Sequence, residues 1–79
     1  MIPTSFFVPG DVLALLNPLQ ELKPGLYLLH AVRDGWVTLT WLIDDEATER
    51  LLITDQQAML PAPLLELFTP VGLRLSAPA

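Results

Sequence analysis

The stretch Tyr27-Leu28-Leu29-His30-Ala31-Val32-Arg33-Asp34-Gly35-Trp36-Val37-Thr38-Leu39-Thr40-Trp41 decides how this chain folds. Two runs rich in apolar, β-branched and aromatic residues flank Asp34-Gly35, a dipeptide suited to reversing the chain between strands. The stretch predicts a β-hairpin. Its pairing register then decides which side chains face inward, because a slip of one residue exchanges the two faces of a strand.

Two loops suit these residues. A two-residue type I′ turn at Asp34-Gly35 pairs Val32 with Val37, His30 with Leu39 and Leu28 with Trp41. His30 then shares a face with Val37, Leu39 and Trp41. A three-residue loop, Arg33-Asp34-Gly35 with Gly35 in the left-handed bulge position, shifts the pairing by one. Val32 then faces Trp36, Ala31 faces Val37, His30 faces Thr38, Leu29 faces Leu39 and Tyr27 faces Trp41. The second register separates apolar from polar residues better. It places Tyr27, Leu29, Ala31, Val37, Leu39 and Trp41 inside, and Leu28, His30, Val32, Trp36, Thr38 and Thr40 on the other face. A nuclear Overhauser contact between Ala31 and Thr38, in place of Ala31 and Val37, would contradict it.

Turn signals set the remaining elements at short spacing. Pro9-Gly10-Asp11, Asn17-Pro18 and Lys23-Pro24-Gly25 punctuate the first half, and Pro61, Pro63 and Pro70 the second. Long helices do not fit between them. Strands are expected at 12–16, 26–32, 36–43 and 50–54, with a short last strand at 73–75. A helix starting at Asp11 is the rival to the first strand, but Pro18 would interrupt it early. The acidic segment 44–49 reads as a solvated loop, and 56–60 reads equally as strand or turn. Residues 63–68 read as one helical turn, with Pro63 at the first helical position where a missing N–H is tolerated. Residues 76–79 read as a frayed tail.

Composition narrows the class. With 79 residues the chain is expected to form a single domain, 1–79, its barrel spanning about 8–75. Apolar residues make up 52% and charged residues only 16%. In so small a body some apolar surface is expected to stay exposed, which marks an interface. There is no cysteine, and a small secreted domain normally carries disulfides, so a cytoplasmic location is expected. Met1-Ile2-Pro3-Thr4-Ser5 has neither a basic region nor a long apolar one, which argues against a signal peptide. No apolar run is long enough for a membrane span.

Chemistry has little material. His30 is the one histidine of the chain, and zinc-type sites need several Cys or His ligands. Asp44, Asp45, Glu46 and Glu49 lack the alternating oxygen ligands and central glycine of a calcium loop. Ser5 and Ser76 lie near the termini, where a nucleophile is poorly positioned. No glycine-rich phosphate loop is present. No catalytic residue, metal or cofactor is therefore expected. The net charge of −5 repels phosphate backbones, and Lys23, Arg33, Arg50 and Arg74 form no basic stripe.

Four segments together carry a likeness. Val8-Pro9-Gly10-Asp11-Val12 leads into strand one and Lys23-Pro24-Gly25-Leu26-Tyr27 into strand two. Val32-Arg33-Asp34-Gly35-Trp36-Val37 forms the hairpin, and Leu64-Leu65-Glu66-Leu67 lies near the end. With these the chain resembles a small Src-homology-3-like barrel of the KOW-like kind. The resemblance implies an all-β, five-stranded, partly open barrel with one short helical turn near the C-terminus, and a binding role. Two departures stand out. The basic surface of nucleic-acid-binding members is missing. So is the aromatic cluster of a polyproline groove, because Tyr27, Trp36 and Trp41 divide between the two faces.

The expected function is a non-catalytic protein-interaction module, a small subunit or adaptor. Its candidate partner-binding residues are Leu28, Val32 and Trp36, with Arg33 able to stack on an aromatic ring. Self-association through that face or an edge strand is expected, because small barrels leave edges to pair. Residues 64–68 covering that face are the competing structural reading. A ligand- or nucleic-acid-binding regulator is the alternative, disfavoured by the charge. An acidic mimic of nucleic acid would need its acids spread in register, whereas here they gather at 44–49.

Overall fold

The computed structural model describes residues 7–75. The expectations for residues 1–5, for the tail 76–79, and for Ser5 and Ser76 lie outside the described residues. The elements are β1 (Asp11–Leu15), β2 (Gly25–Arg33), β3 (Trp36–Asp45), β4 (Arg50–Pro61), a 3-10 helix (Ala62–Leu67) and β5 (Phe68–Arg74). They form one antiparallel sheet in the order β4-β3-β2-β1-β5. The class is all-β, with one short helical turn near the C-terminus.

The sheet curls on itself. Leu60 of β4, Leu65 of the helix and Phe68 of β5 share one buried cluster with Leu13, Leu15, Tyr27, Leu29, Val37 and Leu39. Residues of both edge strands meet in that core, yet the edges do not pair with each other, so the barrel is partly open. Residues 64–68 thus contribute Leu65 and Phe68 to the main core and do not cover the outer face of the hairpin. The Tyr27 ring lies edge-on to Trp41 at 5.4 Å and to Phe68 at 6.0 Å. Its hydroxyl donates to the Lys23 carbonyl, and burial pushes its pKa up. A second, smaller cluster on the opposite face joins Val12, Leu28 and Leu42.

Three boundaries differ from the sequence reading. β4 runs to Pro61, where the sequence placed its end at 54. Between the pairs Leu42↔Ile53 and Thr40↔Gln57 the strand carries three residues against the single Trp41. The Thr54 hydroxyl donates to the Trp41 carbonyl at 2.9 Å and accepts from the Gln56 N–H at 3.2 Å. Residues 54–56 are therefore a bulge, and the Thr54 side chain meets the Trp41 carbonyl and the Gln56 N–H there. β5 begins at Phe68 and contains Pro70, which an edge strand tolerates. Asp44 and Asp45 belong to β3, and the turn is confined to 46–49. There Asp45 accepts from the Ala47 N–H at 3.1 Å and from the Thr48 hydroxyl at 2.9 Å.

Gly10 ties three strands together. Its N–H donates to the Leu29 carbonyl at 2.8 Å, and its carbonyl accepts from the Leu75 N–H at 2.7 Å. Its φ of 101° lies where side chains are disfavoured. The chain can then enter β1 with the Asp11 carboxylate accepting from the Val8 N–H at 3.0 Å and from the Arg74 guanidinium at 2.8 Å. Burial pushes that carboxyl pKa up, but the Val8 N–H and Arg74 outweigh it, and the net shift is downward. A depressed folded-state value means that the stability it contributes is present above the ordinary carboxylate range and is lost as pH falls through the folded value. Arg74 is well exposed, so the ion pair itself is worth about 0.2–1 kcal/mol.

Candidate functional site

The hairpin register decides what the outer surface carries. Asp34 and Gly35 have φ of 53° and 79°, the two positive values of a type I′ turn. The turn is therefore the two-residue one, with Arg33 opposite Trp36 and Val32 opposite Val37. The expected three-residue loop is overturned, and Ala31 faces Thr38, the contact that contradicts it. Further along, however, Leu29 faces Leu39 and Tyr27 faces Trp41, as the three-residue register required. A bulge between Leu29 and Ala31 reconciles the two halves.

The bulge has a physical reason. Carried on without it, the two-residue turn would set His30 opposite Leu39 in the core. One extra residue in β2 at His30 restores the apolar face of the lower half. Tyr27, Leu29, Val37 and Leu39 are buried as expected, and Trp41 packs against them. Ala31 does not join that core. It lies with Thr38 on the outer side. Among the described residues the buried Nδ1 of His30 finds no hydrogen-bond partner, nor does the Thr40 hydroxyl.

The four candidate partner-binding residues separate. Leu28 is fully buried in the smaller cluster, so it offers no surface. Val32 is exposed but turns to the face of Val37, away from Trp36, because the two-residue turn sets it opposite Val37 and not opposite Trp36 as expected. Arg33 and Trp36 stay together as the last pair before the turn. Trp36 is 48% exposed. Beside them an open cleft of about 370 Å³ is lined by Ala31, Arg33, Asp34, Trp36, Thr38 and Met59.

Met59 enters through β4. Pairing sets Thr38 opposite Met59 and Trp36 opposite Pro61, so strand alternation puts these residues on one face. Met59 is 62% exposed. The hairpin tip is held in place, since the Gly35 carbonyl accepts from the Ala62 N–H at 2.8 Å at the start of the 3-10 helix. Sequence reasoning missed Met59, Ala31, Thr38 and Asp34. Reading 56–60 as a strand beside β3 would have found Met59.

A larger cavity of about 510 Å³ lies at the β1–β5 seam, lined by Phe7, Asp11, Val12, Pro70, Gly72, Leu73 and Arg74. Its two charged side chains, Asp11 and Arg74, already pair with each other. Among the described residues no three His, Cys, Asp or Glu side chains come together to hold a metal ion. No helix among them is long and apolar enough to cross a membrane. Comparison with protein families, with curated proteins and with solved structures returns no match to this chain.

Proposed function

We propose that this protein is a non-catalytic protein-interaction module, a small subunit or adaptor, that docks through the outer side of the β2–β3 hairpin and the adjoining end of β4. The observation that carries the reading is the cleft in which half-exposed Trp36 stands between Arg33 and Met59. Tryptophan, arginine and methionine are enriched at protein interfaces, and tryptophan and arginine lead the residues whose truncation costs most binding energy. The flexible Met59 thioether adapts to a partner's shape. The open five-stranded barrel with a helical turn before its last strand supports the likeness to Src-homology-3-like barrels, whose role is binding. The charge of −5 and the scattered cations favour a protein partner over nucleic acid.

Replacing Trp36 with alanine tests the reading. Its exposed ring takes no part in the main core, so the fold should persist, with an unchanged far-ultraviolet dichroism spectrum. Loss of an interface anchor worth about 2 kcal/mol weakens binding roughly 30-fold. Immobilised wild-type protein should retain a defined partner from an extract of the source cells, and the Trp36→Ala protein should not. Equal retention by both would remove Trp36 from the interface.

A further inference from the structure

The two open edges of the sheet are treated differently. β5 carries the devices that keep an edge from pairing. Pro70 lacks an N–H, Gly72 sits at φ 79° within an irregular register between Asp11↔Arg74 and Leu13↔Pro70, and Arg74 is charged. β4 carries none of these from Gln57 to Leu60. That run has no charge and no proline, and from Gln57 to Pro61 it pairs with β3 without irregularity. Among the described residues no strand lies on its other side. A straight, uncharged edge presents regular backbone donors and acceptors to another strand.

We propose that the Gln56–Leu60 edge of β4 pairs antiparallel with the same segment of a second copy, about a two-fold axis at Ala58. This deepens the interaction-module reading, on which it rests, by naming the partner. Residues opposite each other in a two-fold antiparallel pair come from the same face, so the axis passes through a residue and not between two. An axis at Ala58 sets Ala58 against Ala58 of the second copy and Gln57 against its Met59. It leaves Asp55 outside the charge-free run. An axis at Gln57 would set Asp55 opposite Met59, and one at Leu52 would set Glu49 opposite Asp55 of the other copy, a like-charge pair. Around Ala58 the acidic tips at 44–49 point in opposite directions, so a chain of net charge −5 can pair with itself. The two Trp36 clefts then flank one continuous sheet.

Such an edge interface is small, so association is read by sedimentation equilibrium over about 10–500 µM. Wild-type protein should pass from monomer to dimer across that range. The double variant Gln57→Lys with Met59→Lys sets lysine against lysine across the axis and should stay monomeric. Both positions are exposed, and an unchanged dichroism spectrum certifies its fold. The variant Gln57→Lys with Met59→Glu sets opposite charges across the axis and should dimerise again, more weakly as salt rises. A monomeric wild type throughout overturns self-pairing, while the Trp36 reading is still decided by its own comparison. A wild-type dimer that the double lysine variant leaves intact places the contact elsewhere and overturns the β4 assignment. Failure of the charge-swapped variant to dimerise overturns the register.

Discussion

Truncating Phe68 to alanine is expected to cost about 3–5 kcal/mol. The ring is 2% exposed and lies edge-on to Tyr27. Phe68 pairs with Leu15, and its N–H donates to the Leu65 carbonyl at the end of the 3-10 helix. It thus closes the barrel at the point where helix becomes strand. A domain of this size has a total stability of about 4–12 kcal/mol, so the loss removes much of the margin. The urea midpoint should fall steeply with little change in slope. Phe68→Leu keeps most of the volume and should cost about 1 kcal/mol. A midpoint untouched by Phe68→Ala would mean that the helix and β5 do not seal the core.

Replacing Gly10 with alanine should cost about 2–4 kcal/mol although it adds only a methyl group. A Cβ there would lie 2.5 Å from the Leu75 carbonyl oxygen and 3.2 Å from the Arg74 Cγ. The oxygen belongs to backbone, so it cannot move without loosening the Leu75 N–H bond to the Gly10 carbonyl. The positive φ adds backbone strain. Gly35 is the control, because a Cβ there meets open space. Gly35→Asn, a residue that tolerates positive φ, should shift the urea midpoint only slightly. Equal shifts at the two positions would show that Gly10 does not lock β1, β2 and β5 together.

The hairpin shows how far the sequence could be read. The alternation of Tyr27, Leu29, Leu39 and Trp41 was legible because burial of an apolar face selects a register. The turn was legible as Asp34-Gly35 but not its length, since either loop satisfies those two residues. Each loop describes one half of the hairpin, and the bulge at His30 that joins them has no local signature. The cause is tertiary: Leu39 is wanted in the core and His30 is not. The sequence ends the fourth strand at Thr54 because 56–60 reads equally as strand or turn, while a Thr54 hydroxyl bonded to the Trp41 carbonyl makes 54–56 a bulge within a longer strand. That ambiguity hid Met59, which β4 contributes to the cleft beside Trp36. Leu28 fails as a surface residue for a different reason. Strand alternation assigns it to the outer face correctly, but only the curl of the whole sheet shows that Val12 and Leu42 bury it there.

Amide hydrogen exchange, followed residue by residue at a low and a high protein concentration, tests most directly whether the bare edge of β4 is an interface. Amides of 56–60 that point away from β3 should exchange slowly in the concentrated sample and quickly in the dilute one, while those of β5 exchange alike in both. Exchange along β4 that is independent of concentration would contradict the pairing of this edge with a second copy.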